Sequence, residues 1–124
     1  MPQSYPLPVD LASEAELDLM DIFYFYEEKL GCQQKEIYAE VIDAAIARIA
    51  LNPELGQPTT KPPYRRYHVS WANDHGSHYL YYRVVEEQTL VIVRVIHDKR
   101  DSASASPFDD DETGNLTPNG REFA

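Results

Sequence analysis

The chain has one cysteine, Cys32, among its 124 residues, which excludes an internal disulfide and fits a reducing compartment. No run approaches the roughly 20 apolar residues that a membrane-spanning helix needs. The opening Met1-Pro-Gln-Ser-Tyr-Pro6 carries neither the basic nor the apolar stretch of a secretory signal. These absences lead us to expect a cytoplasmic protein without membrane contact. Positive charge is also scarce: 11 Lys and Arg stand against 21 Asp and Glu, for a net charge of −10 at pH 7. Nucleic acid repels such a molecule at long range, so direct nucleic-acid binding is not expected. What is present, 43% apolar and 11% aromatic residues, suffices for the core of one domain.

The charge is unevenly spread. Residues 1–56 hold 11 acids and 3 bases, whereas residues 57–100 hold 4 acids, 7 bases and all four histidines. Residues 101–124 hold 6 acids and 1 base, including the run Asp109, Asp110, Asp111, Glu112. Low hydrophobicity and clustered like charge predict an acidic, disordered tail over 102–124, after a folded domain over 1–101.

Periodicity supplies the elements. A proline-weakened strand is expected over residues 5–11. Ser13 and Glu16 fit a capping box, and Leu19, Ile22, Phe23, Tyr26 and Leu30 recur at helical spacing up to Gly31, predicting a helix over 13–30. Tyr38, Val41, Ile42, Ala45, Ile46 and Ile49 predict a second helix over 33–51, ended by Asn52-Pro53. A joint of a residue or two makes the helices an antiparallel hairpin. After a Pro/Thr-rich loop over 56–63, strands are expected over 64–71, 78–85 and 90–97, with a turn at 72–77. The order β-α-α-β-β-β describes an α+β domain with the helical hairpin on one side of an antiparallel sheet.

A tight turn at 86–89 would set Val85 opposite Leu90, with paired positions summing to 175. One face then carries Leu80, Tyr82, Val84, Val91, Val93 and Val95, an apolar seat for the helices. The other carries Tyr79, Tyr81, Arg83, Ile92, Arg94 and Ile96, a mixture suited to binding. In this register His97 turns toward the core, and a packing role is expected for it. His68, Asp74, His75 and His78 sit in a turn-forming context without a cysteine pair, so no metal is expected; no cofactor is implied either.

Four segments carry a family resemblance: Leu11-Ala-Ser-Glu-Ala-Glu-Leu-Asp-Leu19, Leu51-Asn-Pro-Glu-Leu-Gly-Gln-Pro58, His78-Tyr-Leu-Tyr-Tyr-Arg-Val84 and Arg94-Val-Ile-His-Asp-Lys-Arg-Asp101. In this order the chain resembles the RelE/ParE superfamily of toxins from bacterial type II toxin–antitoxin (plasmid stabilisation) modules, over residues 9–101. The superfamily's β-α-α-β-β-β fold agrees with the reading above. The ending Arg-Val-Ile-His followed by Arg-Asp is similar to the ParE-like branch. That branch inhibits DNA gyrase by binding, not catalysis, and is neutralised by a cognate antitoxin. RelE-like members instead cut messenger RNA on the ribosome, and several of their nuclease positions are not matched here. Tyr79 stands where an arginine is common, Asp98-Lys99 where some have His-Tyr, and no tyrosine follows residue 82. At 102–107 the run Ser-Ala-Ser-Ala-Ser-Pro replaces the apolar C-terminal helix of many members.

The resemblance and the two-faced strand pattern imply a non-enzymatic toxin with no catalytic residues. Tyr79, Tyr81, Arg83, Arg94, Lys99 and Arg100 are the expected target-binding residues, and Tyr24, Arg65 and Arg66 the expected antitoxin-binding ones. Two alternatives are kept: a ribosome-dependent endoribonuclease that uses Arg83, Arg94, Lys99 or Arg100 as cations, and a non-toxic remnant that only binds antitoxin.

Overall fold

The computed structural model describes residues 5–70 and 77–97. Most of the expected turn at 72–77, together with Lys99, Arg100 and the 102–124 tail, lies outside them. The apolar stripe that defined the first helix is the one it buries. Helix α1 spans Ser13–Leu30, and Leu19, Ile22, Phe23, Tyr26 and Leu30 all pack on the core. The expected capping box does not form. Ala12 is the N-cap, with extended backbone, and its carbonyl accepts the Glu16 N–H at 3.0 Å. Ser13 is already inside the helix, where its hydroxyl cannot play the capping role. Glu14 and Glu16 in the first turn still complement the helix dipole.

Gly31 alone separates α1 from α2, Cys32–Leu51. Its φ of 98° is the left-handed conformation that a side chain resists, and its N–H closes α1 on the Glu27 carbonyl at 3.0 Å. The two helices therefore fold back as the expected hairpin. Tyr26 of α1 stacks on Tyr38 of α2 with ring centroids 4.8 Å apart and planes 8° from parallel. Such a pair adds about 0.5–1.5 kcal/mol to the burial of the rings.

Among the described residues five strands make one sheet: β1 (Val9–Leu11), β2 (Gln57–Pro58), β3 (Arg65–Ser70), β4 (Ser77–Val85) and β5 (Thr89–His97), in the order β1-β5-β4-β3-β2. β1 is shorter than expected and pairs parallel to β5, while the other pairs are antiparallel. β2 lies where only loop was expected. Its Pro58 is tolerated because the strand is at the sheet edge.

The β4–β5 register departs from the expected one near the turn. His78↔His97, Tyr79↔Ile96, Leu80↔Val95 and Tyr81↔Arg94 obey the sum of 175, but a bulge follows, and Tyr82↔Ile92 through Val85↔Thr89 pair one residue tighter. The loop is three residues long, with Glu86 (φ 54°) and Glu87 (φ 61°) both left-handed. The slip turns Ile92 inward, against expectation, to be fully buried with Leu80, Tyr82, Leu90 and Val95. Val91 and Val93 leave the core accordingly.

The core-facing end of β4 is fastened to the loop after α2. The Tyr82 hydroxyl donates to the Pro53 carbonyl at 2.5 Å and accepts the Gly56 N–H at 3.0 Å. A side chain at Gly56 would collide with that hydroxyl and stand 2.9 Å from the Arg66 carbonyl. Burial pushes the Tyr82 phenol pKa up, partly offset by the Gly56 bond. At the opposite end, Tyr38 and the buried His78 share a 2.7 Å hydrogen bond between Oη and Nδ1. His97 lies edge-on to His78 at 5.1 Å, the packing role expected for it.

Candidate functional site

Strand alternation sends Tyr79, Tyr81 and Arg83 of β4 to the side opposite Leu80 and Tyr82, away from the helices. The β3–β4 register adds residues to that side, because Arg66 pairs with Tyr81 and His68 with Tyr79. The Arg66 guanidinium lies over the Tyr79 ring at 4.2 Å, and the Arg83 guanidinium over the Tyr64 ring at 5.5 Å. His68 stands 4.9 Å from Tyr79, and Tyr79 stands 6.4 Å from Tyr81. Stacking engages the face of a guanidinium and fixes the orientation of its plane. The outer sheet face is thus an array of cations positioned on aromatic rings.

Two expected target-binding residues, Arg94 and Tyr81, stand differently from the sequence reading. Arg94 is drawn to the helix layer: its Nε and Nη2 donate to the two carboxylate oxygens of Asp18 in α1, at 2.8 and 3.1 Å. Asp18 Oδ2 also accepts the Val95 N–H at 2.8 Å, so one carboxylate holds a side chain and the backbone of the bulged strand together. Side-chain exposures of 28% for Arg94 and 16% for Asp18 make this a part-buried bidentate lock between helix and sheet. Arg94 is therefore a structural residue first. Tyr81, expected to be open for binding, is 1% exposed and lies outside the helix-side core cluster.

Arg65 and Arg66, read as one antitoxin-binding pair, point to opposite sides. Consecutive strand residues alternate, and Arg65 Nη1 donates to the Gly56 carbonyl at 2.6 Å. Tyr79, Arg83 and Arg66 are brought together as described, whereas Lys99 and Arg100 lie outside the described residues. Sequence reasoning missed Tyr64 and His68 as members of this face. The Tyr64, Arg66, His68 alternation was the signal, legible only once β3 is aligned with β4.

Tyr24 sits elsewhere, on α1, 67% exposed. Leu17 and Met20, also largely exposed, precede it at i−7 and i−4, so the three make one apolar stripe. Cys32, at the helix joint, is exposed, and its Sγ donates to Glu27 at 3.2 Å. That bond raises the thiol pKa and so disfavours the reactive thiolate. Among the described residues no group of three or more His, Cys, Asp or Glu stands together to hold a metal, and no helix is long and apolar enough to cross a membrane.

Comparison with known proteins agrees with this architecture. The family described as ParE toxin of the type II toxin–antitoxin system, parDE, matches residues 9–102. Toxin ParE1 of Mycobacterium tuberculosis is 34% identical over 93 residues, covering 73% of this chain and 89% of that protein. Toxin ParE1 of Caulobacter vibrioides is 36% identical over 92 residues, covering 73% and 88%. A solved structure of the chromosomal ParDE system from P. aeruginosa shares the fold at TM-score 0.61 and 17% identity, covering 76% of this chain and 98% of that one. The chain belongs to the ParE toxin family of type II toxin–antitoxin systems.

Proposed function

We propose that this toxin acts by binding DNA gyrase through the outer sheet face and that a cognate antitoxin neutralises it. The observation that carries the target is the family match over residues 9–102, which extends through the Arg94-Val-Ile-His97 segment and Asp101. Arg66, Tyr79 and Arg83 are the contact residues, since cation–π stacking fixes both guanidiniums before a partner arrives. Arg94 contributes indirectly, by holding α1 against β5. The antitoxin-binding role falls to the Leu17, Met20, Tyr24 stripe, which offers an amphipathic segment apolar anchors at helical spacing. An acidic toxin repels an acidic antitoxin, so apolar anchoring matters more than charge here. Titrating purified protein into a gyrase supercoiling assay tests the target, and no inhibition at micromolar protein removes it.

One observation favours the endoribonuclease alternative: His68, Arg66 and Arg83 share a face, offering a titratable group and two cations for a 2′-hydroxyl and a phosphate. It predicts truncated messages on induction, lost in a His68→Ala variant with unchanged stability. Arg94→Ala is a poor test of it, because the Asp18 lock fails in the same variant.

A further inference from the structure

Strand β4 outruns its neighbour. Arg65↔Tyr82 is the last pair between β3 and β4, so Arg83 and Val84 continue past the start of β3. Beside them a cleft of about 220 Å³ opens, lined by Pro53, Glu54, Arg65, Tyr82, Arg83 and Val84 among others. At roughly 30 Å³ per water in the liquid, it has room for a carboxylate and its stem. Because the cleft lies at the end of the sheet, Arg65 lines it from the helix side and Arg83 from the outer side.

Both arginines are half-buried, and among the described residues neither has an anionic partner. Arg65 Nη1 donates to the Gly56 carbonyl at 2.6 Å, a neutral acceptor that orients the guanidinium without meeting its charge. Its Nε and Nη2 have no acceptor there. Arg83 touches the Tyr64 ring at 5.5 Å and makes no hydrogen bond. Glu54, the one acid lining the cleft, pairs with neither. Arg94, also part-buried, instead holds both carboxylate oxygens of Asp18. Acids are not scarce in this chain, 21 against 11 bases, yet residues 57–70 and 77–85 contain none. A part-buried cation without a carboxylate bears a desolvation cost that an incoming carboxylate relieves, and here two such cations share one cleft.

We propose that this cleft receives one carboxylate side chain from an acidic peptide segment of a protein partner. Nε and Nη2 of Arg65 are the side-by-side donors that match two carboxylate oxygens, and Arg83 supplies a second positive charge. Arg65 and Arg83 against Glu54 leave a single positive charge at the cleft, which matches a carboxylate and not a dianionic phosphate. The net charge of −10 likewise opposes a polyanion at long range. The site shares Arg83 with the outer face but uses neither Arg66 nor Tyr79, and it does not depend on gyrase being the target.

The test titrates the full-length protein at low salt with a capped triglutamate peptide and follows the Arg65 and Arg83 side-chain resonances and the Val84 amide by NMR. The triglutamine peptide and inorganic phosphate are the comparison probes. Triglutamate should shift these resonances saturably, and triglutamine should not. Arg65→Gln and Arg83→Gln should each weaken triglutamate binding on the order of tenfold, as for a lost hydrogen bond to a charged group. Arg65→Lys should recover little, because a point charge lacks the paired donors. Arg66→Gln removes the same charge from the outer face and should weaken binding much less. Urea unfolding of each variant separates lost folding from lost binding; if Arg65→Gln unfolds, Arg83→Gln, which removes no hydrogen bond, decides. Unshifted Arg65 and Arg83 resonances, equal weakening by Arg66→Gln, or tighter binding of phosphate than of triglutamate overturns the proposal. None of these readouts involves supercoiling, so failure here and failure to inhibit gyrase are distinguishable.

Discussion

The two faces of the sheet use the same residue types to opposite ends. On the helix side, tyrosine and arginine are consumed by the fold: Tyr82 fastens the loop at Pro53 and Gly56, and Arg94 is locked to Asp18. On the outer side, Arg66 and Arg83 are laid on Tyr79 and Tyr64, on the face turned away from α1 and α2. Residue type therefore does not separate binding from packing in this protein. What separates them is the side of the sheet to which the strand register turns the side chain, and whether loop and helix groups such as the Gly56 N–H or the part-buried Asp18 carboxylate meet it there.

Substitutions on the helix side should cost stability and those on the outer face function, so the largest expected effects break the inner face. Gly56→Val forces a side chain into the Tyr82 hydroxyl and the Arg66 carbonyl; we expect a loss of about 3 kcal/mol in urea unfolding. Asp18→Ala removes three hydrogen bonds to Arg94 and Val95 at a part-buried site. It should cost about 2–3 kcal/mol, with Asp18→Glu recovering little because the bidentate geometry shifts.

Tyr82→Phe should cost about 1–2 kcal/mol and change the alkaline limb of stability. Burial raises the Tyr82 pKa above its ordinary 10.0 in the folded chain. The folded state then keeps a proton that the unfolded state has lost. Stability is complete below pH 10 and falls as pH rises from there through the folded value. Denaturation midpoints measured across that range should fall less steeply in Tyr82→Phe than in the parent. Tyr26, also raised by burial, leaves a residual slope. The smallest effect lies at the hairpin tip. Replacing Glu86 and Glu87 by Asn-Gly, which suits two left-handed positions, should raise stability by about 1 kcal/mol without altering either face; a loss of stability would contradict the turn geometry.

The helical hairpin was legible because its determinants are local: the 3.6-residue recurrence of Leu19, Ile22, Phe23 and Tyr26 and a glycine between the helices. The β4–β5 hairpin was half legible. Its far end kept the expected register, but nothing in Glu-Glu-Gln announces two left-handed residues, and nothing in Val91-Ile-Val-Arg94 announces a bulge. Three consecutive apolar residues read equally well in either phase, so Ile92 was placed on the wrong face. The partner of Arg94 was hidden for a different reason. Asp18 lies 76 positions away, beyond any periodic pattern, and an arginine in an apolar strand looks outward-facing until that carboxylate is placed. Arg66 was noticed as a cation, but its joining of Tyr79 depended on the β3–β4 register, which crosses a turn of indeterminate length.

In the function proposed above, the outer face, and not the Asp18–Arg94 lock, meets the target. Gyrase supercoiling inhibition by the Arg66→Ala/Arg83→Ala double variant, read beside its urea unfolding curve, tests this most directly. We predict stability within about 1 kcal/mol of the parent, as for surface substitutions, and inhibition weakened on the order of tenfold or more, as for the loss of two interface arginines. A double variant that unfolds like the parent and inhibits gyrase equally well would contradict it.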